Sequence, residues 1–151
     1  MDRTTNKLVG ILKSAGPDRV GEVLEENREE LFSEDRPFSA YIRELLSRHG
    51  LTQQHVIRVS GFSDRYGYRL LSEERHTKQR DYILRICLAA ELTLDESQRL
   101  IRLYGMAPLY ARIPRDAVLI SAISTGEHSI DRVNALLEKN GMQPLRCSEE
   151  Q

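Results

Sequence analysis

Two short apolar segments, each opened by a side-chain cap and joined through one glycine turn, constrain this chain more than any other feature. They occupy Leu51–Leu71, LTQQHVIRVSGFSDRYGYRLL. Thr52 is placed to cap the first segment as a helix. Gly61 is placed to end it, because a helix closes most cheaply on a residue that tolerates left-handed backbone. Only Phe62 separates that glycine from Ser63, a second N-cap, and Asp64 follows where the helix dipole favours a carboxylate. Two short helices joined so tightly must cross steeply, which is helix-turn-helix geometry. Upstream, Phe38, Tyr41, Ile42, Leu45 and Leu46 recur at helical spacing, and Gly50 closes that helix.

A second signal is an internal repeat. Leu94–Leu109 lies over Ile130–Leu145 at an offset of 36 positions, with aspartate, leucine, glycine, methionine, proline and the final leucine coinciding. The preceding helices align after a one-residue slip, Arg80-Asp81-Tyr82-Ile83-Leu84 against Arg115-Asp116-Ala117-Val118-Leu119. This pattern predicts a duplicated helical hairpin. Thr93 or Ser129 caps a helix, glycine ends it, and the Met-x-Pro-Leu tail folds back on it. A single hairpin cannot bury its apolar face alone, so the copies are expected to stack on the preceding core. They could also form a groove or a dimer face.

Ahead of these elements, Thr4 or Thr5 can cap a helix carrying Leu8, Ile11 and Leu12, ended by Gly16-Pro17. A second helix carries Val20, Val23, Leu24 and Leu31, with Glu22, Glu25, Glu26, Glu29 and Glu30 opposite. That acidic face is either a solvated surface or a contact for a partner. The polar break Ser33–Pro37 divides the chain into an N-terminal acidic helical segment (1–36), a helix-turn-helix region (37–92) and C-terminal helical hairpins packed on the core (93–151). Charge follows the same division. Six Lys/Arg face nine Asp/Glu in 1–36, nine face six in 37–92, and seven face eight in 93–151. The basic excess falls on the middle segment, where nucleic-acid binding would need it.

The order of helix, Thr52-Gln53, tight glycine turn and capped helix resembles the Xre/Cro, lambda-repressor-like family of helix-turn-helix regulators over about Phe38–Leu92. Val56, Gly61, Ser63 and Leu70 fit its pattern, and Ile83, Ile86, Leu88 and Leu92 fit its closing helices. The resemblance implies that Gln53 touches a DNA phosphate. It implies that Asp64, Arg65 and Tyr66, with Arg69 one turn on, face base edges from a helix capped by Ser63. Arg65 can bond a guanine edge at two points. Arg75, His76, Thr77 and Lys78 would position the phosphate backbone, completing a DNA-binding set of Gln53, Ser63, Asp64, Arg65, Tyr66, Arg69, Arg75 and Lys78. The bland alternatives are that the arginines are solvated charges and that Tyr66 and Tyr68 pack over Gly67.

Two departures from the family stand out. Gly67 lies where a branched apolar residue is usual and Ile57 where a small one is, which suggests an exchange of volumes. Glu73 and Glu74 bring carboxylates to a region that would approach phosphate. The whole arrangement also resembles bacterial Xre-like proteins with an acidic helical N-terminus and a Gly-Met/Phe-x-Pro-Leu hairpin. Such proteins accompany Ser/Thr kinases, implying a signalling partner.

The expected fold is therefore all-α: a lambda-repressor-like core with N-terminal helices and a duplicated C-terminal hairpin. No run approaches the ~20 apolar residues of a membrane span, and the opening Met1–Lys7 lacks a signal-peptide core, so a cytoplasmic protein is expected. Cys87 reads as a core thiol and Cys147 as part of a polar tail; His49, His55, His76 and His128 lack ligand spacing. No nucleotide, hydrolase or zinc-protease motif is present. The expectation is no enzyme, no cofactor and no metal. Two functions remain: a sequence-specific regulator on double-stranded DNA, dimerising through its C-terminal hairpins, or an adaptor that kept the fold and lost DNA affinity.

Overall fold

The computed structural model describes residues 3–27 and 36–147, and every regular element among them is helical. The chain divides into two compact units, Met1–Glu34 and Asp35–Gln151.

The first unit holds α1 (Arg3–Ala15), a 3-10 turn (Pro17–Arg19) and α2 (Val20–Glu26). α1 starts at Arg3, ahead of the cap expected at Thr4 or Thr5. Gly16 takes φ 77°, which reverses the chain, and Pro17 opens the next turn with its φ already set. Val23 is buried, whereas Val9, Leu12, Val20 and Leu24 remain exposed. Glu29, Glu30 and Leu31, expected to continue α2, lie outside the described residues.

The second unit contains α3 (Pro37–His49), α4 (Gln53–Ser60), α5 (Asp64–Leu71), α6 (Arg80–Ala89), α7 (Leu94–Leu103), α8 (Pro114–Ser124) and α9 (Ile130–Lys139). α6 is its axis: every residue from Asp81 to Ala90 is buried, and α4, α7 and α9 all pack on it. One hydrophobic core runs from Phe38 to Leu145. The Cys87 thiol lies inside it, and burial pushes its pKa up to about 12, so it is a packing group rather than a nucleophile. Cys147 is also a free thiol.

The duplicated hairpins, α6–α7 and α8–α9, are fastened by the residues that reveal the repeat. Arg80 pairs with Asp116, and Arg115 forks onto Asp81 at 2.8 and 3.0 Å. Each arginine also grips carbonyls of its own hairpin's tail. Arg80 donates to Ala107 and Pro108 at 3.2 and 3.5 Å, and Arg115 to Gln143 and Pro144, both near 3.2 Å. Each aspartate accepts a backbone N–H from the other hairpin's tail: Tyr110 to Asp116 at 3.0 Å and Arg146 to Asp81 at 2.9 Å. Gln98 and Asn134 each accept from the tail leucine of their hairpin, Leu109 or Leu145, at 2.8 Å. Gly105 (φ 89°) and Gly141 (φ 75°) start the two tails in left-handed backbone. The result is a pseudo-twofold pair in which each half lends its arginine to the other's carboxylate.

Candidate nucleic-acid interface

α4 and α5 are eight residues each and are joined by Gly61-Phe62-Ser63. The Thr52 hydroxyl accepts from His55 N at 3.1 Å and opens α4. Gly61, at φ 91°, receives the end of α4; a Cβ there would stand 2.9 Å from Cys147 Sγ. Ser63 Oγ then accepts from Tyr66 N at 3.2 Å and starts α5 afresh. Val56, Ile57, Phe62, Leu70 and Leu71 drive the inner face of this pair into the core.

The crossing of α4 and α5 is close because one helix lacks a side chain where the other carries a branched one. A Cβ built on Gly67 would stand 2.2 Å from Ile57 Cγ2 and 2.6 Å from Cγ1. Ile57 is fully buried and fills that space, so the gap beside Gly67 is covered by isoleucine and not by the flanking tyrosines.

The outer face of α5 presents Arg65, Tyr68 and Arg69 at helical spacing. Arg65 is exposed, and among the described residues it has no charged partner. Arg69 is half-buried, with Nε 4.0 Å from Glu74 Oε1. Asp64 is turned back across the turn, where Arg58 forks onto it at 3.2 and 3.0 Å. That hydrogen-bonded guanidinium holds the Asp64 carboxyl below its ordinary pKa and raises that of Arg58.

Tyr66 requires a correction. Its ring is buried, edge-on to Phe62 and Tyr82 with centroids 5.5 and 6.2 Å away, because its place in the first turn of α5 points inward. It cannot present an open ring to a base edge. Tyr68, 42% exposed, occupies the outer face instead. Gln53 is half-buried in the first turn of α4; Arg75 is half-buried and Lys78 exposed in the segment leading to α6. That segment is pinned by Tyr104, whose hydroxyl accepts from Thr77 N at 2.8 Å and whose ring stacks on His76 at 4.2 Å.

Sequence reading missed Arg36, which donates to Ser72 O at 3.2 Å and brings a further exposed cation to the end of α5. It also misjudged Glu73. This residue adopts φ 63° and aims Oε2 at Ser39 N, 3.3 Å away, in the first turn of α3. No side chain of Arg36 caps that helix, so Glu73 supplies its N-terminal acceptor.

A cavity of about 320 Å³ lies between the α6–α7 and α8–α9 connections, and none of the predicted DNA-binding residues lines it. Among the described residues no cluster of His, Cys, Asp or Glu is arranged to hold a metal, and no helix is long and apolar enough to cross a membrane. No family model, curated protein or solved structure matches this chain.

Proposed function

We propose that the chain is a sequence-specific DNA-binding transcription regulator of the Xre type, with α5 as the reading helix. The observation that carries this reading is Arg65: an exposed arginine in the first turn of a serine-capped helix, held by a rigid apolar base and bound to no carboxylate. Arg69, Arg75 and Lys78 on or after that helix, and Arg36 at its end in space, supply further cations for phosphate contacts. Two of the carboxylates that would oppose phosphate are engaged within the protein, Asp64 by Arg58 and Glu73 by the α3 N-terminus.

The test is a mobility-shift titration on mixed genomic fragments across a salt series. Binding should weaken steeply with salt. Arg65→Ala should cost about 1–3 kcal/mol on preferred fragments and erase the preference, whereas Lys78→Ala should weaken all fragments alike and reduce the salt slope by about one. A second reading is an adaptor that no longer binds DNA and meets a protein partner, with a Ser/Thr kinase as the class implied by resemblance. The exposure of Val59 (45%) and Tyr68 (42%) favours it, because apolar side chains on an open surface suit a protein contact. No detectable shift at low salt would decide for the adaptor.

A further inference from the structure

α5 is fastened at both ends by carboxylates, in a place where a DNA-reading surface would repel phosphate with them. At its start Asp64 is clasped from α4. Arg58 forks onto it at 3.2 and 3.0 Å, and the side chain of Gln54, one turn earlier on the same face of α4, also bonds to it. At its end the chain leaves through Glu73 in left-handed backbone, φ 63°. α3 and α4 leave through left-handed glycines, Gly50 and Gly61, which have no side chain to offer. Glu73 uses the side chain that glycine lacks: Oε2 accepts from Ser39 N at 3.3 Å in the first turn of α3, while Arg36, ahead of α3, donates to Ser72 O at 3.2 Å. Backbone held in a sparsely populated region persists only where its surroundings fix it, and such positions cluster at functional sites.

We propose that Asp64 and Glu73 are positioning residues for sequence reading, each anchoring one end of α5 so that Arg65 and Arg69, one turn apart on its outer face, meet base edges in a fixed register. The inference rests on α5 being the reading helix and adds which residues aim it. Two-point bonding of an arginine to a guanine edge tolerates little angular error, so the helix that carries it must be held by its neighbours. The inward side chains Tyr66, Leu70 and Leu71 bury one face of α5, but apolar contact is non-directional. The hydrogen bonds at the two ends supply direction. Asp64, turned toward α4, is thus a fastener and not a reader of cytosine. Charge alone gives the opposite expectation: a carboxylate beside phosphate repels it, so removing one should tighten binding to every fragment.

Binding titrations of the full chain on a preferred DNA fragment and an unrelated one of equal length test it, at fixed salt, with thermal melts showing that each variant is folded. Asp64→Ala and Glu73→Gly should each lower the ratio of preferred to unrelated affinity about tenfold, the size of one mismatched base pair, while affinity for the unrelated fragment holds or rises. Glu73→Gly keeps the left-handed turn and lacks only the anchor. Glu73→Gln removes the charge but keeps an acceptor oxygen for Ser39 N, so it should retain the ratio. Arg58→Ala removes a cation instead of an anion, yet should lower the ratio as Asp64→Ala does. Asp64→Ala and Glu73→Gly chains that bind both fragments more tightly at an unchanged ratio would overturn the proposal. So would an Asp64→Ala chain whose preference changes at one base pair alone, which would make Asp64 a reader. A wild type that shifts no DNA at low salt is a separate outcome, which overturns the reading of α5 and this proposal with it.

Discussion

Gly67 has no room for a methyl group, although a glycine inside a helix costs about 1 kcal/mol relative to alanine. Because Ile57 Cγ2 stands 2.2 Å from where that methyl would go, Gly67→Ala should lower stability by about 1–3 kcal/mol rather than raise it. In an Ile57→Ala background the closest approach widens from 2.2 Å to the 2.9 Å of the remaining Cβ, so the same change should cost distinctly less. Urea unfolding of the four chains of this double-mutant cycle checks that coupling. A gain of stability from Gly67→Ala alone would show that the two helices part easily. Glu73 illustrates the same scale from the polar side. A residue with φ 63° is strained unless something holds it, and the α3 N-terminus supplies that hold through Ser39 N.

At the level of elements, α6 and α8 are held together through two buried aspartates, Asp81 and Asp116, one near the start of each helix. Asp81 is drawn in opposite directions. Burial pushes its carboxyl up, while the Arg115 guanidinium and Arg146 N–H outweigh this and hold it below the ordinary 3.8. A carboxyl depressed in the folded state contributes stability that is present above its unfolded pKa and lost as pH falls through the folded one. Stability should therefore drop on the acid side, and Asp81→Asn should flatten that drop, measured as urea midpoints from about pH 6 to about pH 2. Asp116, with a side chain only 1% exposed, is the more demanding partner. Removing it as Asp116→Ala strands Arg80 and leaves Tyr110 N without its acceptor, which should cost about 3–5 kcal/mol of unfolding free energy. Both aspartates stood in the repeat alignment, one residue out of register with the rest. Their chemistry explains why that dipeptide is present in both halves.

Across the whole second unit, the C-terminal strap holds as much as it hangs from. Arg85, only 9% exposed, donates to Ser60 O at 3.1 Å and to Leu145 O and Arg146 O at 2.7 Å, tying the end of α4 to the tail through the middle of α6. Deleting residues from Met142 onward would orphan most of these donors and remove Leu145 from the core. It should destabilise the entire unit by several kcal/mol, read as a downward shift of one cooperative melt rather than a frayed end. How much of this was legible depended on range along the chain. Caps and left-handed glycines are local chemistry, so Thr52, Gly61, Ser63, Thr93 and Gly105 announced their elements from neighbours alone. The all-helical class and the hairpin repeat followed from periodicity. Arg85, Arg36 and Glu73 act on residues 25 to 61 or 34 to 36 positions away, and nothing in their flanking sequence names those partners. Tyr66 was misread because its station in the helix was judged without the direction of its ring. The crossed arginine–aspartate ties carry a last implication. An embrace in which each half gives what it takes is self-complementary, so two detached hairpins of this kind would close on one another by the same bonds. The C-terminal half of the chain has the form of a homodimer whose two subunits have been spliced into one polypeptide.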